Sequence, residues 1–502
     1  MIREISRRKC LRLWLCKPEY MERTKWENRF VLLRFRKKNY MMFLKDLKRF
    51  KMERLYDKLK AYSESDFYAF HMPGHKRNKA LLGIELAYDL DITEIDGFDD
   101  LHHADGILKE EQERAARVFG AEESHFLVNG STAGILSAVM GCTHRGDKIL
   151  VARHCHKSIY HAIYMNGLVP RYVYPEFDIS MHMNGEISKE DVAKALAAEP
   201  DIKAVVIVSP NYDGVVSDVK GIAEVAHSYR IPLIVDEAHG PHFGFHPAFP
   251  GRANDLGADV VINSLHKTLP SLTQTAILHI NGKIVNRRRI KKYLDMLQSS
   301  SPSYIFMASL DACVDFVDGK CENAFELYVE RLQKFREELK PLQHLQILRT
   351  EHYDISKVVI STANANITSP ELADRLRKGY HLEMEMCGAD YVTAIAAIGD
   401  SKKGLKHLKK ALLEIDKNLE FVPEAKTAVS GSIEISGELP RLEQYFTPQE
   451  AADREEDGEA EEIPWKESEG HISLEYAYLY PPGSPVIVPG ERISREAVEL
   501  LR

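Results

Sequence analysis

Asn263-Ser264-Leu265-His266-Lys267-Thr268-Leu269-Pro270 decides how the chain is read. It follows the apolar run Asp259-Val260-Val261-Ile262, so Lys267 falls just past the carboxyl end of an expected buried strand, where open α/β sheets place their ligands. A lysine there is a candidate nucleophile toward a carbonyl group, and the flanking Ser264 and His266 can hold a phosphate. Upstream, Ile231-Pro232-Leu233-Ile234-Val235-Asp236 ends a second apolar strand on a carboxylate.

Outward from these two strand ends the same rhythm repeats. His125-Phe126-Leu127-Val128, Lys148–Ala152, Arg171–Tyr174, Ala204–Val208 and Ala276–Ile280 read as strands, with helices expected at Ser188–Ala198 and Val219–Tyr229. Near-continuous Val/Ile/Leu strands alternating with helices predict an α/β fold with a mostly parallel sheet covered on both faces. Asn129-Gly130-Ser131-Thr132-Ala133-Gly134 opens an apolar helix directly after a strand. Free amide groups, a favourable dipole and a close-approaching glycine make such a turn a phosphate seat; simple capping by Ser131 or Thr132 is the bland alternative. After Lys148–Ala152 comes Arg153-His154-Cys155-His156, where an aromatic ring can stack on a flat cofactor. Beyond residue 300, long helices and the strand-like Lys357–Ser361 and Val392–Ala396 suggest a second, smaller domain of α+β class.

Composition bounds the rest. The chain has 502 residues, 44% of them apolar and 28% charged, and a net charge of −8, which gives no general reason to expect nucleic acid or an acidic membrane as partner. Residues 1–51 depart from this, with 17 Lys/Arg against 5 Asp/Glu. This leader can be read as a basic arm, but Met52-Glu53-Arg54-Leu55 reads as the natural start of the ordered protein. Seven scattered cysteines without C-x-x-C spacing fit reduced thiols in a cytoplasmic protein, and no metal site is expected. No run approaches the ~20 apolar residues of a membrane-spanning helix.

Together, Lys267, Asp236 and the phosphate seat are the polar equipment of a pyridoxal phosphate (PLP) site. Lys267 attaches the cofactor's aldehyde, Asp236 keeps the pyridine nitrogen protonated, and Ser131, Thr132, Ser264 and His266 surround the phosphate. Further motifs join these: Phe70-His71-Met72-Pro73-Gly74-His75-Lys76, Cys155-His156-Lys157-Ser158, Asp236-Glu237-Ala238-His239-Gly240, and Tyr480-Pro481-Pro482-Gly483 with Pro489-Gly490-Glu491. In this order, from about Met52 to the C-terminus, the chain resembles the bacterial ornithine/lysine/arginine decarboxylases of the aspartate aminotransferase-like fold (PLP fold type I).

The resemblance implies His156 as the ring-stacking residue in preference to His154, and a homo-oligomer, at least a dimer, with its active site at the subunit interface. It is to short members that lack an N-terminal wing domain. Glu237-Ala238-His239 stands where the large relatives carry Ser-Ala-Trp, which puts His239 beside cofactor or substrate in a new way. The implied reaction is α-decarboxylation of arginine, lysine or ornithine, with arginine favoured because the short members resemble biosynthetic enzymes of polyamine metabolism. A cationic substrate needs an anionic receptor, and Glu491, Asp99 and Asp100 are candidates, with His75 on the Pro-Gly turn. The implied partners are a small-molecule substrate and a second copy of the chain, not nucleic acid or membrane. Two other readings remain: an aminotransferase or Cα–Cβ lyase on the same scaffold, or a non-catalytic regulator that uses the basic leader.

The expected layout is a leader (1–51), an N-terminal arm (52–110), a PLP-binding major domain (111–310), a small α/β domain (311–430), and a C-terminal segment with an acidic linker and a Pro-rich loop (431–502).

Overall fold

A computed structural model describes residues 53–80, 83–179, 182–319, 321–348, 351–422, 438–479 and 483–501. The leader and Tyr480-Pro481-Pro482 lie outside the described residues.

Seven strands make the main sheet: β1 (Glu123–Leu127), β2 (Lys148–Ala152), β3 (Val169–Val173), β6 (Val205–Val208), β7 (Leu233–Asp236), β8 (Val260–Asn263) and β9 (Ala276–Ile280). The short hairpin β4 (Phe177–Asp178) and β5 (Met183–Asn184) stands apart from it. The spatial order is β1-β9-β8-β7-β6-β2-β3, and β9 alone runs against its neighbours. The expectation of a mostly parallel sheet therefore holds. The Val/Ile runs of β6, β7 and β8 are buried at every position, on both faces, and so need no polar face.

From β2 the chain moves outward to β3, then returns to the other flank of β2 as β6. Connections that leave adjacent strand ends in opposite directions open a crevice there, and the loops after β2 and β6 border it. The helix Gly130–Cys142 lies deep against the sheet, and its glycines permit this. A Cβ at Gly134 would come within 2.5 Å of Leu127, and one at Gly141 within 2.6 Å of Ile290 on the helix Arg287–Leu297.

A second core joins Leu55 and Leu59 of the arm to Leu108, Phe119 and the helices Tyr304–Gly319 and Glu322–Glu338. The expected boundaries at 110/111 and 310/311 thus fall inside helices Ile107–Phe119 and Tyr304–Gly319, whose apolar faces bind arm and body into one core. The smaller sheet, ordered β10 (Gln346–Ile347), β11 (Lys357–Ser361), β13 (Tyr391–Ile395), β12 (Met386–Cys387), is wholly antiparallel. It packs against the helices Ser369–Tyr380 and Lys402–Asp416, the α+β arrangement expected of the smaller domain.

The acidic segment forms the helix Pro448–Glu456, started by a capping box between Thr447 and Glu450. Beyond it, β14 (Ala477–Leu479) and β15 (Ser484–Ile487) form a hairpin that buries Val486, Ile487 and Val488.

Candidate active site

The carboxyl ends of β7 and β8 supply the two central groups. Asp236 is the last residue of β7, and Lys267 sits in the single helical turn Leu265–Thr268 that follows β8. Both line a cavity of about 820 Å³. Lys267 is half-buried, and the desolvation of its amine pushes it below the ordinary lysine range while the nearby Asp236 carboxylate pulls it back. Among the described residues, one hydrogen bond reaches the Asp236 side chain, from the Ala238 N–H at 3.1 Å. Burial raises the carboxyl's pKa, and the Lys267 charge opposes the rise.

The phosphate seat is also assembled. Gly130 takes a φ of +73°, and the helix it opens has no side-chain cap, since Asn129 accepts the Ser299 N–H instead. The capping alternative for Ser131 and Thr132 thus fails, and the first-turn amides remain open to an anion. The Ser131 and Ser264 hydroxyls share a hydrogen bond of 2.6 Å across the gap between the two helix starts. His266 is anchored through Nδ1–H to the Thr275 carbonyl at 2.9 Å, which leaves Nε2 for a ligand.

His156 caps the helix Lys157–Met165: its Nδ1 accepts from the Ser158 N–H at 3.2 Å and pairs with the Ser158 hydroxyl at 2.8 Å. The neutral ring therefore carries its proton on Nε2 and cannot swing freely. Burial, with Lys267 adding to it, pushes its pKa down to about 4. His154 also lines the cavity and is lowered to about 4 by burial, with Nδ1 unpartnered among the described residues. His239 lies between two lysines, 2.9 Å from Lys267 Nζ and 2.8 Å from Lys357 Nζ.

Eight expected residues thus meet in one cavity: Lys267, Asp236, His156, His239, Ser131, Thr132, Ser264 and His266. The four expected substrate residues do not line it, and each is engaged elsewhere. Glu491 is fully buried against Arg153 at 3.1 Å and accepts the Val488 N–H at 2.8 Å. Asp99 accepts backbone amides of Asp105, Gly106 and Leu108, capping a helix whose own N-cap, Gly106, has no side chain. Asp100 accepts the His102 N–H and pairs with His103, while His75 pairs with Asp91 at 3.3 Å and stacks on Tyr88. Within one chain, these four residues therefore lie apart from the cavity. A carboxylate already neutralised or capping a helix has little capacity left for a substrate cation.

The sequence reading missed Tyr212, Asp213 and Glu385, which do line the cavity. Among the described residues Asp213 is buried with Oδ1 unpartnered, and burial pushes its carboxyl up to about 6 against the opposing hydrogen bond from Tyr391. The strand-end rule that found Asp236 points equally to Asn211-Tyr212-Asp213 after β6.

Residues 53–365 match the Orn/Lys/Arg decarboxylase major domain, and residues 437–502 match the C-terminal domain of the same family. The chain belongs to the Orn/Lys/Arg decarboxylase family. Members are PLP-dependent amino acid decarboxylases, and the fold is PLP fold type I. Arginine decarboxylase of Bacillus subtilis (strain 168) is 33% identical over 464 residues, 89% of this chain and 92% of that protein. A lysine decarboxylase of Pseudomonas aeruginosa is 25% identical over 79% of this chain and 66% of its own length. The solved structure of lysine decarboxylase A from Pseudomonas aeruginosa superposes with a TM-score of 0.76 at 23% identity, covering 92% of this chain and 76% of that one.

Proposed function

We propose that the protein removes the α-carboxylate of arginine, and less readily of lysine or ornithine, releasing agmatine or a diamine for polyamine metabolism. The observation that carries this reading is the single cavity holding the Lys267 amine, the Asp236 carboxylate and an uncapped helix N-terminus. Arginine is favoured because the Bacillus subtilis arginine decarboxylase is matched over 92% of its length, against 66% for the Pseudomonas aeruginosa lysine decarboxylase.

The donor set fits PLP. When bound, the cofactor supplies an electron-accepting ring for the electron pair of the breaking Cα–carboxylate bond. Asp236 holds the proton on the ring nitrogen, because a buried carboxylate with one bond of its own gains most from a cationic N–H partner. Lys267 presents the attaching amine, and His156 offers a neutral ring fixed by Ser158. The open amides after Gly130, with Ser131, Thr132, Ser264 and His266, take the phosphate. Asp213 and Glu385 give the cavity the negative charge that a basic side chain requires.

The protein works in the cytoplasm as at least a homodimer with a shared site, and needs neither nucleic acid nor membrane. Support comes from the five free cysteines among the described residues and from Phe67, Tyr68, Phe70 and Met72, which leave 65–89% of their surface exposed along the arm. Incubating purified protein and PLP with each of the three amino acids tests the reading. Agmatine and CO₂ from arginine, with no oxo acid consumed, are expected. No amine from any of them refutes the proposal, and oxo-acid dependence replaces it with an aminotransferase.

A further inference from the structure

His239 poses a problem of proton arithmetic. A neutral imidazole has one donor and one acceptor, and an ammonium group has only protons to give. Lys267 and Lys357 both approach the ring within hydrogen-bond distance, at Nε2 and Nδ1 respectively. They cannot both be ammonium ions donating to it. One of the two is a neutral amine that accepts the ring's N–H.

The site around Lys357 is built to hold a charge. Its side chain is fully buried at the start of β11, and its stem runs over Gly214, where a Cβ would lie 2.6 Å from Lys357 Cγ. Gly214 also takes a φ of +104°, so two constraints keep this passage open. The charged and titratable groups facing the Lys357 amine are Asp354, Asp213 and Glu385, which favour its charge, and Lys267, which opposes it. Asp354 is held ionised by His242 at 3.1 Å and Ser356 Oγ at 2.6 Å. His242 in turn contacts the hydroxyl of Thr268, the neighbour of Lys267, at 2.9 Å. Tyr212 lies with its ring centroid 6.0 Å from the Lys357 amine and 4.7 Å from the His239 ring. Burial pushes Lys357 down to about 8, so its proton is exchangeable near neutrality.

We propose that His239 and Lys357 form a proton relay that holds Lys267 as a free amine, ready to attach the cofactor's aldehyde. Lys357 is then a positioning residue, acting on Lys267 through the ring. The inference rests on the PLP reading given above. In the shift, Lys267 gives a proton to His239 Nε2 while His239 Nδ1 gives its proton to Lys357. One proton leaves Lys267 and one arrives at Lys357, the ring ends neutral in its other tautomer, and no other bond changes.

The test uses cofactor-free full-length protein. Trace acetylation with acetic anhydride across a pH series, read by mass spectrometry of the Lys267 peptide, reports the fraction of free amine. Native protein should label with a midpoint well below the ~10.4 of an ordinary lysine. Lys357→Met should slow labelling at pH 7.5 about tenfold, with rates converging at high pH. Lys357→Arg keeps a permanent donor to His239 and should label like native protein. His239→Phe leaves the Lys357 charge nearby but cuts the path, and should slow labelling as Lys357→Met does. Native-like labelling in folded His239→Phe overturns the relay, whether or not Lys357→Met folds, and leaves charge repulsion as the only link. If Lys267 labels as stated but PLP produces no absorption band, the cofactor reading fails and the relay stands.

Discussion

Glu491→Gln separates two roles for the Pro-rich tail. A substrate receptor at 491 would raise KM with little effect on stability; the structure requires the reverse. Glu491 is the counter-charge of Arg153, and both are fully buried. Gln retains an oxygen to accept the Val488 N–H, so what disappears is the charge opposite a guanidinium that has no access to water. Arg153 keeps its bonds to the carbonyls of Pro485 at 2.6 Å and Val486 at 2.9 Å, but these are dipoles, not a compensating charge. Leaving one ion of a buried pair unopposed costs about 3–5 kcal/mol. In a body of this size that corresponds to a fall in Tm of about 3–5 °C. Thermal unfolding of the holoenzyme by circular dichroism measures it, and steady-state kinetics on the folded fraction should show KM unchanged. An unaltered Tm with KM raised tenfold would refute this assignment and return Glu491 to the substrate.

Asp236→Asn keeps the shape of the site but removes the negative partner of the ring nitrogen, and should lower kcat by about 10²–10³ with PLP still bound; a loss under fivefold would refute its role. Asp213→Asn removes negative charge from the cavity and should raise KM for arginine roughly tenfold, a value expected for one charge-assisted hydrogen bond; an equal rise for an uncharged amino acid would argue against charge recognition. Three buried histidines should draw stability from the protein below pH 6.5. His154 and His156 are held down to about 4 and His279 to about 3 by burial. The unfolded chain therefore binds more protons than the folded one from the ordinary histidine pKa down to those values. Stability present above 6.5 is lost as pH falls toward 4, by about 1 kcal/mol per pH unit from each group. Between pH 7 and 4.5 a His279→Gln protein should lose less Tm than the native one, and an equal loss would refute the burial of this ring.

The main sheet was legible because its strands are buried on both faces and so announce themselves as unbroken apolar runs; the central strands β6, β7 and β8 could hardly be read otherwise. Lys267 and Asp236 were legible for a related reason, being the polar residues that end such runs. The partners of the acidic residues were not. Asp99 and Glu491 look like free anions in a one-dimensional reading, yet each answers a need created far away in the chain: a helix start whose own cap is glycine, and a guanidinium buried beneath a hairpin. Lys357 was hidden for the converse reason. A lysine opening a strand reads as a solvated edge, and only the meeting of the small antiparallel sheet with the His239 turn makes it part of the site. The continuity of arm and body was hidden similarly, because the helices Ile107–Phe119 and Tyr304–Gly319 share a core that composition does not reveal.

The Arg153–Glu491 pair also sets a schedule for biosynthesis. The two residues are 338 positions apart, and ribosomes add roughly 5–20 residues per second, so the guanidinium leaves the ribosome many seconds before its counter-charge exists. Until then, Arg153 cannot be kept dry at the end of β2, one turn from His154 and His156. The nascent chain can form most of its sheet, but not a finished pocket. A message truncated anywhere before codon 491 should therefore yield a polypeptide that shows this defect to the cell's quality-control proteases.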